Sequence, residues 1–160
     1  MPQMYARGMA AFQSGDFPRA ASELEALINK AEFSPQLEPV FFTVGSAWFN
    51  AGDYKKAMAA FKNYQAKFPQ GPHGGDVVFA LAQCSLLSKN YADAATQFSA
   101  LEKDPKLREQ ALLAQATAFK ESGKPDQAIG PLEKLAAGEV KSATGVRLSL
   151  IHISEPTRPY

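Results

Sequence analysis

A chain that repeats itself at a fixed interval has few ways to fold, because no copy can bury its apolar face alone and each must stack on the next. Such an interval runs through this sequence. Gly15-Asp16-Phe17, followed by Ala20 and Leu24, returns 37 residues later as Gly52-Asp53-Tyr54 with Ala57 and Phe61. After a further 37 residues it returns as Lys89-Asn90-Tyr91 with Ala94 and Phe98, and after 34 more as Gly123-Lys124-Pro125 with Ala128 and Leu132. Upstream in each copy stands a small residue, Gly8, Gly45, Ala82 or Ala116, and three positions before it Tyr5, Phe42, Phe79 or Leu113.

Each copy reads as two helices joined by a tight turn. In the second, apolar residues at helical spacing (Phe41, Phe42, Val44, Trp48, Phe49) predict a first helix over 39–51. Gly52 closes it in the left-handed conformation open to glycine, and the Asp53 side chain caps the next helix. That helix is predicted over 54–68, with Ala57, Met58, Phe61 and Tyr64 on one face and Pro69 ending it. In the fourth copy Pro125 suits a first helical position, where its missing N–H costs nothing. Glycine within a helix costs about 1 kcal/mol relative to alanine, so Gly8 and Gly45 need a reason to be there. Close approach of the paired second helix supplies it, with Ala20, Ala57, Ala94 and Ala128 answering from the other side.

Composition agrees. Alanine is the commonest residue, with 27, against ten Val and Ile combined, which favours helix over sheet. Hydrophobic residues make up 46%, enough for a core. A net charge of +1 argues against a nucleic-acid binder working through a strong basic field. No run reaches the roughly 18 apolar residues of an integral membrane segment. The start lacks a cationic stretch followed by an apolar block, so the expectation is a cytoplasmic protein, or a periplasmic one if the N-terminus is incomplete. The single cysteine, Cys84, has no internal disulfide partner.

The small residue, the Gly-Asp-Tyr turn, the alanine and the later aromatic together resemble the tetratricopeptide repeat, over about residues 4–138. The resemblance implies an all-α fold, an α-α superhelix built as a right-handed solenoid of antiparallel helix pairs. It implies about four repeats, near 2–34, 38–71, 75–106 and 108–139, with a truncated fifth from Lys141, in one array over 1–147. Departures are local: Lys89 replaces a turn glycine, Lys120 and Pro125 replace aromatics, and the first two periods carry three extra residues near 35–39 and 71–75. The stretch FFTVGSAWFNAGDYKKAMAAFKNYQAKFP is similar to bacterial tetratricopeptide proteins of the cell envelope, including Tol-Pal-associated and outer-membrane assembly types, many of them exported. Residues 148–160, LSLIHISEPTRPY, lose the repeat pattern, and their first eleven letters resemble translated transposase-adaptor DNA. They are read as a non-native tail, and His152 within them is set aside.

Reactive chemistry is sparse. His73 lies in Gly71-Pro72-His73-Gly74-Gly75, which lacks the strand and the Lys-Ser/Thr pair of a phosphate loop, and reads as a linker with Asp76 capping the following helix. Cys84 aligns with Ala10 and Ala47, a small core site with no second histidine to activate a thiolate. The carboxylates Glu23 with Glu25 and Glu102 with Asp104 are two apart, do not share a helix face, and read as surface charge. Trp48 reads as core. Neither a cofactor nor a metal is expected, and the chain is read as non-enzymatic.

What remains is a surface. In the resembled family the first helices line a concave wall that holds a partner segment. Carried onto this sequence, the wall positions are Tyr5, Met9 and Phe12 in the first copy, Phe42, Ser46 and Phe49 in the second, and Phe79 and Gln83 in the third. Aromatics flanked by amides suit an amphipathic helix or an apolar peptide. Equally, these aromatics could be core shared between adjacent first helices. Tyr5, Met9 and Thr43 stand where Lys and Asn would clamp a terminal carboxylate, so chaperone-tail recognition is disfavoured. The expected function is a protein or peptide interaction or scaffolding module. The alternatives are an accessory domain of a longer enzyme and an oligomerising envelope protein.

Overall fold

The computed structural model describes residues 2–139; the expected fifth copy and the 148–160 tail lie outside them. Eight α-helices follow one another: α1 (Pro2–Gln13), α2 (Phe17–Lys30), α3 (Glu38–Asn50), α4 (Tyr54–Lys67), α5 (Gly74–Leu87), α6 (Tyr91–Ser99), α7 (Arg108–Glu121) and α8 (Pro125–Glu139). A short 3-10 turn, Pro35–Leu37, leads into α3. There is no strand among the described residues. Each helix packs on its neighbours in sequence, within a pair and from one pair to the next, giving an α-α superhelix.

The turns inside the pairs are one motif used four times. Gly15, Gly52 and Gly123 take φ of 82°, 80° and 78°. In every copy the amide three places past the last helical residue reaches back to close a six-residue turn: Asp16 to Ala11 O, Asp53 to Trp48 O, Asn90 to Ser85 O and Lys124 to Phe119 O, at 2.8–3.0 Å. Asp53 Oδ1 then accepts from the Lys56 amide at 3.1 Å, and Asp16 Oδ1 from that of Arg19 at 3.4 Å. Lys89 holds the same left-handed conformation at φ 64° without being glycine. A side chain there costs about 1–2 kcal/mol. Part of that is offset by the larger entropy glycine loses on folding, so Lys89→Gly is expected to raise stability by about 0.5–1 kcal/mol, read as a higher urea midpoint at unchanged slope.

The small residues do what their spacing demands. Ala20, Ala57 and Ala94 are fully buried and Ala128 nearly so. A Cβ added at Gly8 would fall 2.6 Å from Leu24 Cδ2, and one added at Gly45 would overlap the Phe61 ring. The core divides at α5. Val77, Leu81 and Cys84 join the cluster reaching back to Ala11, while Ala82 joins the one running forward to Ala118. Trp48 and Cys84 are core residues. Burial pushes the Cys84 thiol up to about 11, so it stays protonated at neutral pH and is no nucleophile.

Candidate functional site

The expected wall residues come from first helices, and all but Tyr5 are half-buried, with the four phenylalanine rings lodged against the second helix of their own pair. Phe12 meets Phe17 edge-on at 5.4 Å, Phe49 meets Tyr54 at 5.5 Å, and Phe79 meets Phe98 edge-on at 5.4 Å. Phe42 lies 6.2 Å from Phe61 and also stacks on the His73 imidazole at 4.5 Å and 13°. Met9, Ser46 and Gln83 are likewise half-buried, and Tyr5 stands out at 46% exposure. Ser46 Oγ donates to the Phe42 carbonyl at 3.1 Å, which spends its hydroxyl within its own helix.

Behind Phe42 lies a group that the repeat pattern conceals. Glu38, the first residue of α3, is 5% exposed. It accepts from the Tyr64 hydroxyl, and from His73 Nδ1 at 2.8 Å to one carboxylate oxygen and 3.0 Å to the other. The His73 amide adds bonds to Tyr64 Oη at 3.0 Å and to Glu38 Oε1 at 3.2 Å. A carboxylate can only accept, so Nδ1 carries the proton and the imidazole is fixed by Glu38 on one edge and by Phe42 on one face. Burial pushes the Glu38 carboxyl up, but the bonds from Tyr64 and His73 outweigh it and hold the group below its ordinary range. Burial, then the bond to Glu38, pushes the Tyr64 phenol up to about 12, so it remains a donor.

This cluster ties α3 and α4 to the connection that starts α5. It corrects the expected cap: α5 begins at Gly74 with His73 in the cap position, and Asp76 lies inside the first turn. His73 is therefore more than a linker residue. A signal was present in the sequence. Tyr64 stands where the other copies have Leu27, Leu101 and Leu135, all buried, and a phenol in a leucine position needs a polar partner. The carboxylates read as surface charge also differ from expectation in two cases. Glu25 Oε1 accepts from Trp48 Nε1 at 2.6 Å and Asp104 Oδ1 from the Lys106 and Leu107 amides at 2.9 and 3.2 Å, whereas Glu23 pairs with Arg7 at 3.3 Å and Glu102 with Lys134 at 2.8 Å.

No group of three or more metal-ligating side chains exists among the described residues. None of their helices is long and apolar enough to cross a membrane. The family model described as outer membrane lipoprotein, YfiO, matches residues 1–116. The chain belongs to the YfiO family. A tetratricopeptide repeat model matches residues 110–137, which carries the same repeat type into α8. No curated protein matches the chain. A solved structure of MamA, AMB-1, is similar at 14% identity and a TM-score of 0.39, over 93% of this chain and 96% of that one. This YfiO-family chain is thus a tetratricopeptide-type protein, an architecture of the interaction and scaffolding class.

Proposed function

We propose that the chain is a non-catalytic module that holds a segment of a protein partner against its first-helix wall, at Tyr5, Met9, Phe12, Phe42, Ser46, Phe49, Phe79 and Gln83. The observation that carries this reading is the half-buried state of the row. The rings of Phe12, Phe42, Phe49 and Phe79 are each pinned at the base by a second-helix aromatic, Phe42 also by His73, so ordering them costs little side-chain entropy when a partner arrives. The matching family model carries the description outer membrane lipoprotein, which supports a reading in which the scaffold holds together components of an envelope assembly.

Phe42→Ala and Phe79→Ala are expected to weaken capture of the partner from envelope extracts by about tenfold each, in line with buried aromatic anchors carrying most of the affinity. Unchanged recovery with both variants, at unchanged helical content, sinks the wall as the binding site. A second reading, self-association, is favoured by α8. There Ile129 and Leu132 are 52% and 45% exposed, while their counterparts Ala95 and Phe98 in the preceding copy are buried. Light scattering that shows a monomer across concentrations removes it.

A further inference from the structure

On the side formed by the second helices, α2 and α4 leave a pocket of about 270 Å³ floored by α3. The residue beside this gap differs from copy to copy. In the first copy Glu23 reaches across to Arg7 of the first helix, and in the third Gln97 accepts from Ser85 Oγ at 2.9 Å. The second copy has Ala60 at that position, and the space over Phe41 and Val44 stays open.

The rim is polar and largely unspent. Asn29 on α2 and Asn63 on α4 flank the apolar floor, both exposed, and neither side chain makes a hydrogen bond among the described residues. Glu25 uses one carboxylate oxygen on Trp48 and leaves the other free. The one cation at the rim, Lys56, is already engaged, 3.7 Å from Asp53 and 4.2 Å above the Trp48 ring.

These features select an occupant. The volume admits an aliphatic side chain with room left for the backbone beside it, and its apolar floor rewards burying that side chain. Two carboxamides facing each other across the gap each offer a donor and an acceptor, which match the free N–H and C=O of an extended backbone. A helical segment has already spent those groups internally and gains nothing from them. The free oxygen of Glu25 favours a cation beside the anchor and disfavours an acid. We propose that this pocket binds an extended segment of a partner protein through one leucine-like side chain followed by lysine or arginine. This surface is separate from the first-helix wall.

The test is a titration of the isotope-labelled full chain with acetyl-Gly-Leu-Arg-Gly-amide, followed by two-dimensional NMR of the Trp48 indole and the Asn29 and Asn63 side-chain amides. Saturable shifts at all three are expected, with affinity at least about fivefold better than for the Leu-Glu version of the peptide. Ala60→Gln, which installs the residue the third copy tolerates, is expected to abolish them. Phe42→Ala is expected to leave them unchanged, so failure of the wall reading does not remove this one. The proposal is overturned by absent shifts, by equal binding to Ala60→Gln, by no preference for the basic peptide, or by tighter binding of a stapled helical peptide carrying the same Leu-Arg pair.

Discussion

Glu38→Ala is expected to destabilise the protein by about 3 kcal/mol, because removing one member of a buried, charge-bearing hydrogen-bonded set leaves the others without partners. Tyr64 would keep a buried hydroxyl with its acceptor gone, and His73 would lose the bonds that fix its ring and part of the bonding of its amide. For a chain of this length the loss corresponds to a melting temperature lower by roughly 6–12 °C. Glu38→Gln keeps an acceptor for the phenol and fills the same volume, so it is expected to cost about half as much, and Tyr64→Phe about 1–2 kcal/mol. Urea unfolding followed by circular dichroism reads all three. A cost under about 0.5 kcal/mol for Glu38→Ala, the level of an ordinary surface substitution, means that the cluster does not hold the second and third pairs together.

The same cluster fixes the sign of an acid dependence. Burial raises the Glu38 pKa, the bonds from Tyr64 and His73 lower it by more, and the net result lies below the ordinary value of 4.5. A carboxyl with a depressed folded-state pKa contributes stability that is complete above its unfolded pKa and is lost as pH falls through the folded value. The stability gap between the wild type and Glu38→Gln is therefore expected to close as the pH falls below about 5. A gap that instead widens in that acid range reverses the direction assigned to this group.

What the sequence discloses and what it hides follow from how often a contact is used. The left-handed turn serves every copy, with glycine in three of them, the alanines at Ala20, Ala57, Ala94 and Ala128 serve all four, and the Asp53 cap returns from Asp16, so periodicity amplifies them. Glu38, Tyr64 and His73 meet once. Glu38 and His73 are 35 residues apart in the chain and both flank connections, where the copies diverge in length. No local pattern joins a carboxylate entering one helix to an imidazole preceding another, and only the phenol in place of Leu27, Leu101 and Leu135 marks the spot. The second-helix pocket is hidden for the opposite reason. It opens beside Ala60, where the first and third copies carry Glu23 and Gln97, and a missing side chain reads as ordinary helix-forming alanine.

Gly45 offers the sharpest contest between local and packing energetics. Helix propensity alone makes Gly45→Ala stabilising by about 1 kcal/mol, since alanine constrains the unfolded chain and glycine does not. Packing says the reverse. An added Cβ would overlap the ring of Phe61, which is 1% exposed and held between Gly45 of α3 and the half-buried ring of Phe42. A buried ring has no solvent to move into, so α3 and α4 must part or the ring must leave its rotamer, at about 1–3 kcal/mol or more. Allowing for the propensity gain of about 1 kcal/mol, the net expectation is a loss of up to about 2 kcal/mol. At Gly74, the first residue of α5, a Cβ meets nothing within 4 Å, and Gly74→Ala is expected to be neutral or stabilising by up to about 0.5 kcal/mol. If the collision is with the ring, trimming the ring relieves it. Phe61→Leu alone is expected to cost about 1 kcal/mol, and the double variant Gly45→Ala/Phe61→Leu less than the sum of the singles by at least about 1 kcal/mol. Additive losses in that cycle place the cost of the extra methyl elsewhere, and the glycine at this position then has some purpose other than the close approach of α3 to α4.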